Sequence, residues 1–242
     1  MTPRVTASYS NGVLIVDGVK YPMVYVQGGT FGMGASSEQG SDAFGDERPI
    51  HQVTLSDYYI GQSEVTQELW QAVMGSNPSR FNGSRRPVEC VSWDDCKTFI
   101  SKLNSITGKL FRLPTEAEWE FAARGGVKSQ GYKYSGSNML NNVAWYTNNS
   151  GSTTHDVGMK SPNELGIYDM SGNVLEWCSD WYGSSYNSNA QTNPTGPSGV
   201  SKRVFRGGSW HYSANGCRVS FRINLTPSLR NNDIGLRLVL LP

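Results

Sequence analysis

Every strong helix signal in this chain falls between Ser63 and Gly126, and nothing after Gly126 repeats apolar residues at helical spacing over a useful length. Roughly half of the 242 residues must therefore fold from strands and loops. Composition agrees, because 27 glycines and 11 prolines in a chain that is only 17% charged favour turns over long helices. With 37% apolar and 11% aromatic residues there is still enough material for a sizeable core. The expectation is an irregular, loop-rich α+β domain.

Three helices can be placed by their ends. Ser63 precedes EVTQELWQAVMG, in which Val65, Leu69, Trp70 and Val73 share a face before Gly75. Ser92 precedes WDDCKTFISKLNSITG, where Cys96, Phe99, Ile100 and Leu103 recur at 3.6 spacing and Gly108 stops the helix. Thr115 and Glu118 form a capping box in LPTEAEWEFAARGG.

Upstream, YPMVYVQGGTFGMG (Tyr21 to Gly34) reads as a strand, a Gly-Gly turn and a second strand, a hairpin. It is no phosphate cradle, since no lysine follows in the P-loop position and no helix opens there. His51 to Ile60 alternates and adds a strand. Residues 1–20 read as an N-terminal extension, residues 21–242 as one domain, and the Ser/Asn/Gly run from Gly183 to Ser201 as a surface loop.

Charge and cysteine usage narrow the function classes. Lys plus Arg number 21 against 20 for Asp plus Glu, so the net charge of +1 gives no field to gather nucleic acid or an anionic membrane. No run of about 18 apolar residues predicts a membrane span. The N-terminal residues lack the order of a signal peptide. Cys90, Cys96, Cys178 and Cys217 show no zinc-like spacing and read as reduced core thiols, with a Cys90–Cys96 bridge as the alternative.

The segment from Arg203 to Leu240 interleaves two kinds of residue. Glycines, arginines and Trp210 read as scaffold. Phe205, His211, Tyr212, Ser213, Gly216, Phe221, Ile223, Leu225, Leu229 and Asp233 follow neither a strand nor a helix period, and read as a surface chosen for contact. Aromatic, apolar and small polar side chains on a stiff support are what a paratope uses, with His211, Tyr212 and Phe221 as natural anchors. Exposure is the test, because ordinary core residues would be buried. The six arginines there, Arg203, Arg206, Arg218, Arg222, Arg230 and Arg237, are expected to brace loops through carbonyls and carboxylates.

Taken in order, GGTFGMG, EVT, PVECVSWDD, RLPTEAEWEFAARGG, GIYDMSGNVLEWCSDWY, RVFRGGSW and IGLRLV resemble the formylglycine-generating enzyme, or sulfatase-modifying factor, family over about residues 21–240. The resemblance implies a variant of the C-type lectin fold with few helices and small twisted antiparallel sheets. Members that make formylglycine hold copper(I) on two cysteines after the GGS element. Here the second aligns with Cys217, but Tyr212 replaces the first. A lone thiolate beside a phenol is a poor soft-metal site, so no copper and no formylglycine synthesis are expected. Leu175 also replaces a tryptophan usual in the family. The fallback is a divergent oxidase acting on a cysteine or thiol substrate, with Cys217 as the reactive group and Ser209 near it. The three histidines, His51, His155 and His211, have no HxxxH spacing to support the iron triad of a related branch.

The family pattern further implies a structural calcium ion on the side chains of Asp169 and Glu176 and the carbonyls of Gly172 and Val174, hard oxygen donors suited to that ion. A turn held by Asp169 without metal is the alternative. The family's second calcium site is not implied, because its acidic element after Val143 is missing.

The C-terminal segment also resembles the variable proteins of diversity-generating retroelements, in which adenine changes in a template replace asparagine codons. Asn215, Asn224, Asn231 and Asn232 then stand as unreplaced positions. Changing both adenines of an asparagine codon cannot give Lys, Glu, Gln, Met or Trp, and none of these occurs at the ten contact positions. The leading expectation is a non-enzymatic module that displays this segment to a protein or cell-surface ligand, with no nucleic acid partner. A bacterial cell surface, secretion and a phage particle are all consistent with the resemblance. An ancillary domain without diversification is the third possibility.

Overall fold

The computed structural model describes residues 5–242. Its first three strands, β1 (Ala7–Ser10), β2 (Val13–Val16) and β3 (Val19–Val26), form an antiparallel meander. β3 continues into β6 (Tyr58–Gly61), β13 (Val239–Leu240) and β7 (Phe111–Arg112) to complete a six-stranded sheet. Leu14 and Val16 on β2 are fully buried, so this stretch before residue 21 supplies core as well as an edge.

The expected hairpin does not form. β4 (Gly29–Met33) leaves β3 behind and pairs with β5 (His51–Leu55) in a separate three-stranded sheet, with β9 (Gln191–Thr192) parallel to β5. The reason is a close approach at Gly28, where a Cβ would sit 2.3 Å from the Leu55 carbonyl oxygen. Gln27 to Gly29 is thus a crossing between sheets. The run His51 to Ile60 likewise splits into β5 and β6, which belong to different sheets.

The helices fall close to where their ends predict. α1 (Gln67–Met74) is capped by Thr66, whose hydroxyl accepts from the Leu69 N–H at 3.3 Å, three residues later than the expected Ser63. α2 (Trp93–Thr107) has the Ser92 cap, buries Cys96, Phe99, Ile100 and Leu103, and ends at Gly108 in the left-handed region (φ 66°). α3 (Glu116–Ala123) starts at the Thr115–Glu118 capping box, and all eight of its residues are buried. α4 (Leu140–Val143) is a single turn.

The third sheet carries the candidate face. β8 (Leu175–Trp181) is flanked by β10 (Arg203–Arg206) and by the parallel β12 (Ile234–Gly235), with β11 (Arg222–Leu225) outside β10. Leu175, Trp177 and Phe205 join the cluster built on α1 and α2, whereas Cys178 and Val204 join the one around α3. Each of β8 and β10 thus feeds both cores through its alternation.

Candidate contact face

Charge pairs fix the frame beneath the face. Arg206, Arg218 and Arg237 are fully buried and Arg222 nearly so. Arg218 grips Glu47 with two bonds of 2.7 and 2.6 Å. Arg222 does the same to Glu116, at 2.7 and 2.6 Å. Arg206 pairs with Glu120 and also donates to the Ser220 and Phe221 carbonyls, at 2.7 and 2.8 Å. Burial alone would raise the carboxyls of Glu47 and Glu116, but their guanidinium partners hold both below the usual carboxylate range. Arg203 differs, its guanidinium carbon lying 3.9 Å from the centre of the Trp93 ring and 3.3 Å from that of Trp181, and Arg230 pairs with Asp95 at the surface. The bracing role expected of the arginines is what the geometry shows.

The ten contact positions divide. His211 and Ser213 are exposed, and Tyr212, Ile223, Leu225 and Leu229 are half-buried. Phe205, Gly216, Phe221 and Asp233 are buried, contrary to the expectation of a wholly exposed set. Phe205 faces Trp177 with ring centres 3.7 Å apart, which makes it core. Gly216 is the floor under Tyr212, since a Cβ there would fall 2.4 Å from the Tyr212 ring. Asp233, 2% exposed, accepts from Ser209 Oγ at 3.2 Å, and its Oδ2 lies 3.4 Å from His211 Nδ1. Alternation in β10 and β11 is broken by turns on either side, so periodicity did not separate these four from the rest.

Aromatic rings form a continuous row that is exposed at His211 and Phe44, half-buried at Phe81, Trp210 and Tyr212, and buried at Phe221. Centre-to-centre distances are 5.5 Å from Phe81 to Trp210, 4.9 Å to His211, 5.0 Å to Tyr212, 5.9 Å to Phe221 and 6.0 Å to Phe44. Such spacings suit edge-to-face and offset contacts. Phe44 is half exposed. Sequence reasoning missed Phe44 and Phe81 and took Trp210 for scaffold. The available signal was the presence of large rings within otherwise polar loops.

Around Ser209 the chemistry is positional rather than nucleophilic. A hydroxyl has one proton, and Ser209 gives it to Asp233 while His211 Nδ1 lies 3.2 Å from the same oxygen. Serine, aspartate and one histidine nitrogen are all on the same side of the ring, so there is no relay from carboxylate through imidazole to hydroxyl. Cys217 has no solvent exposure, and burial pushes its thiol up to about 12. With no charged partner beside it, the thiol is protonated at neutral pH. Cys90, Cys96 and Cys178 are also free, so the Cys90–Cys96 bridge does not form.

The expected calcium ligands fit only in part. Asp169 is buried, its Oδ1 has no partner, and burial pushes its carboxyl up to about 6. Glu176 is committed elsewhere. Arg237 Nε and Nη2 donate to both its oxygens at 2.7 to 3.2 Å, and Trp119 Nε1 donates to Oε2 at 2.7 Å, so three N–H groups already engage the carboxylate. An ion there would have to displace a buried guanidinium, so the residues present do not fit calcium in the manner the resemblance implies. Among the described residues no group of three or more His, Cys, Asp or Glu side chains is arranged to hold a metal.

No helix among the described residues is long and apolar enough to cross a membrane. In fold, the chain is similar to Treponema denticola variable protein 1, with a TM-score of 0.85, 37% identity and full coverage of both chains. In sequence it is 37% identical over 268 residues to the chaperone protein LppX of Paenibacillus barcinonensis, covering 90% of this chain and 88% of that one. It is also 30% identical over 282 residues to the formylglycine-generating enzyme of Streptomyces coelicolor, covering 88% and 87%. The model of the sulfatase-modifying factor enzyme 1-like domain matches residues 19–241, and the chain belongs to that family.

Proposed function

We propose that the chain is a non-enzymatic binding module that presents its C-terminal face to a protein or cell-surface ligand, in the manner of retroelement variable proteins. The row of rings from Phe81 to Phe44 carries this reading, because it puts aromatic contact area across a frame of buried ion pairs. Tyr and His at positions 212 and 211 lie in that row, and Ile223, Leu225 and Leu229 add half-buried apolar surface packed on the first core. Large rings give contact area at low entropy cost when their support is rigid. The likeness to Treponema denticola variable protein 1 supports the reading. The alternative, an oxidase working through Cys217, needs a thiolate that burial withholds.

Sequencing the locus tests diversification. A near-copy of the coding segment for residues 203–240, carrying adenines at the codons for His211, Tyr212, Ser213, Ile223, Leu225 and Leu229, should lie near a reverse transcriptase gene. If no such copy exists, the retroelement reading fails. For contact itself, a library varied at those six positions should keep the wild-type melting temperature while selecting binders to immobilised protein targets; general loss of folding would show that the positions are core.

A further inference from the structure

We propose that the cleft beneath the loop of residues 183–201 is a second binding site, which takes a primary ammonium group on a short aliphatic chain and seats it on Asp180. The cleft has a volume of about 290 Å³ and is walled by Met33, His51, Tyr186, Pro194 and Pro197, with Glu116 and Arg222, paired to each other, also in its lining. His51 and Tyr186 pack ring on ring, with centres 4.9 Å apart. These walls come from β4, β5 and the loop, and none of them belongs to the ten contact positions.

Asp180, only 3% exposed, forms the polar end. Its Oδ2 accepts from the Glu116 N–H and the Ser179 hydroxyl, both at 3.0 Å. Its Oδ1 has no donor among the described residues and abuts Gly196, where an added Cβ would lie 3.2 Å away. A carboxylate oxygen that no protein donor occupies is open to a donor brought by a ligand in the cleft.

Charge adds to the argument. Glu116 is matched by Arg222 and Arg206, and Glu118 by Arg112. Arg203, the remaining nearby cation, donates Nη1 to the Ser179 carbonyl at 2.6 Å and sits over two tryptophan rings, while its Nε has no acceptor among the described residues and makes no bond to Asp180. Asp180 is left without a paired cation, and burial together with Glu116 raises its carboxyl to about 7. A guanidinium fork wants two parallel acceptors, whereas one free oxygen suits a compact ammonium. Apolar and ring walls then take the alkyl chain.

The test uses the full chain, labelled with nitrogen-15, titrated at pH 8 with n-butylammonium chloride and separately with n-butanol. Amide shifts centred on Tyr186, Gly196 and Glu116 are expected with the ammonium, and at least tenfold weaker binding with the alcohol. Asp180→Asn, which keeps an acceptor for the Glu116 N–H, should lose at least tenfold. Ser185→Trp, at the exposed rim, should block the cleft while leaving that acceptor in place, and decides the matter if Asp180→Asn does not fold. Equal binding of butanol, full binding by a folded variant, or shifts confined to other carboxylates would overturn the proposal.

Discussion

Breaking the Glu47–Arg218 pair offers a direct measure of what supports the contact face. Both side chains are fully buried, and the two bonds of 2.6 and 2.7 Å span 171 residues, tying the turn Gly45–Glu47 to the segment after Cys217. Glu47→Gln leaves the guanidinium with the Asn215 carbonyl at 2.9 Å and the Ser220 hydroxyl at 3.2 Å, but no carboxylate bonded to it. Removing one partner of a buried pair costs about 3–5 kcal/mol, because the other charge stays desolvated. For a domain of this size that is a fall of about 6–20 °C in melting temperature. Replacing both, as Glu47→Leu with Arg218→Met, removes the stranded charge and should return stability to within about 1–2 kcal/mol of wild type. Urea denaturation of wild type, Glu47→Leu, Arg218→Met and the double variant gives the coupling energy, expected at about 4 kcal/mol or more, since two single losses of about 3–5 kcal/mol collapse to about 1–2 kcal/mol in the double. Single losses below about 1 kcal/mol, or losses that simply add, would refute the idea that the pair is a dry internal brace.

Asp180→Asn should alter the pH dependence of stability. The folded carboxyl is raised to about 7 by burial and by Glu116, above its unfolded value of about 3.9, so ionising it costs the fold nothing below about pH 4 and the full amount above pH 7. Relative to wild type the variant should gain on the order of 4 kcal/mol between pH 4 and 8, and a difference that stays constant with pH would count against this. Phe205→Ala, deep against Trp177, should cost about 3–5 kcal/mol, whereas Ile223→Ser, at a half-buried edge, should cost under half of that; chemical denaturation ranks them. Chelation with EDTA should leave the melting temperature within about 1 °C, since Glu176 is engaged by Arg237 and Trp119, and a clear drop would mean that calcium is held after all.

Local signals in the sequence carried the helices well and the sheets poorly. Caps and glycine stops located α2 and α3 because those interactions are made within four residues. The Gly28 crossing was illegible because what forbids a side chain there is the Leu55 carbonyl, 27 residues away and brought close only by β5. The same holds for the contact face. His211 and Ser213 proved exposed, yet Phe205 and Asp233 did not, since their burial depends on Trp177 across the sheet and on Ser209 in the loop after β10, not on their own neighbours. The arginines were readable for a different reason. Six of them in a chain of nearly balanced charge require carboxylates, and α3 supplies Glu116 and Glu120 from its buried turns.

This placement bears on how such a face tolerates change. Side-chain shape in an apolar support is coupled to its neighbours, so altering one position disturbs the next. Here the segment from residue 206 to 222 is instead held by guanidinium bonds to Glu47, Glu116 and Glu120 and to main-chain carbonyls, whose geometry does not depend on which residue occupies 211, 213 or 225. Tyr212 is the exception, since its ring rests on Gly216. Positions 212 and 216 should therefore vary together, with Gly216→Ser tolerated beside a small residue at 212 and strongly destabilising beside tyrosine. A double-mutant cycle with Tyr212→Ser reads the coupling, and an interaction energy near zero would show that the ring simply moves aside.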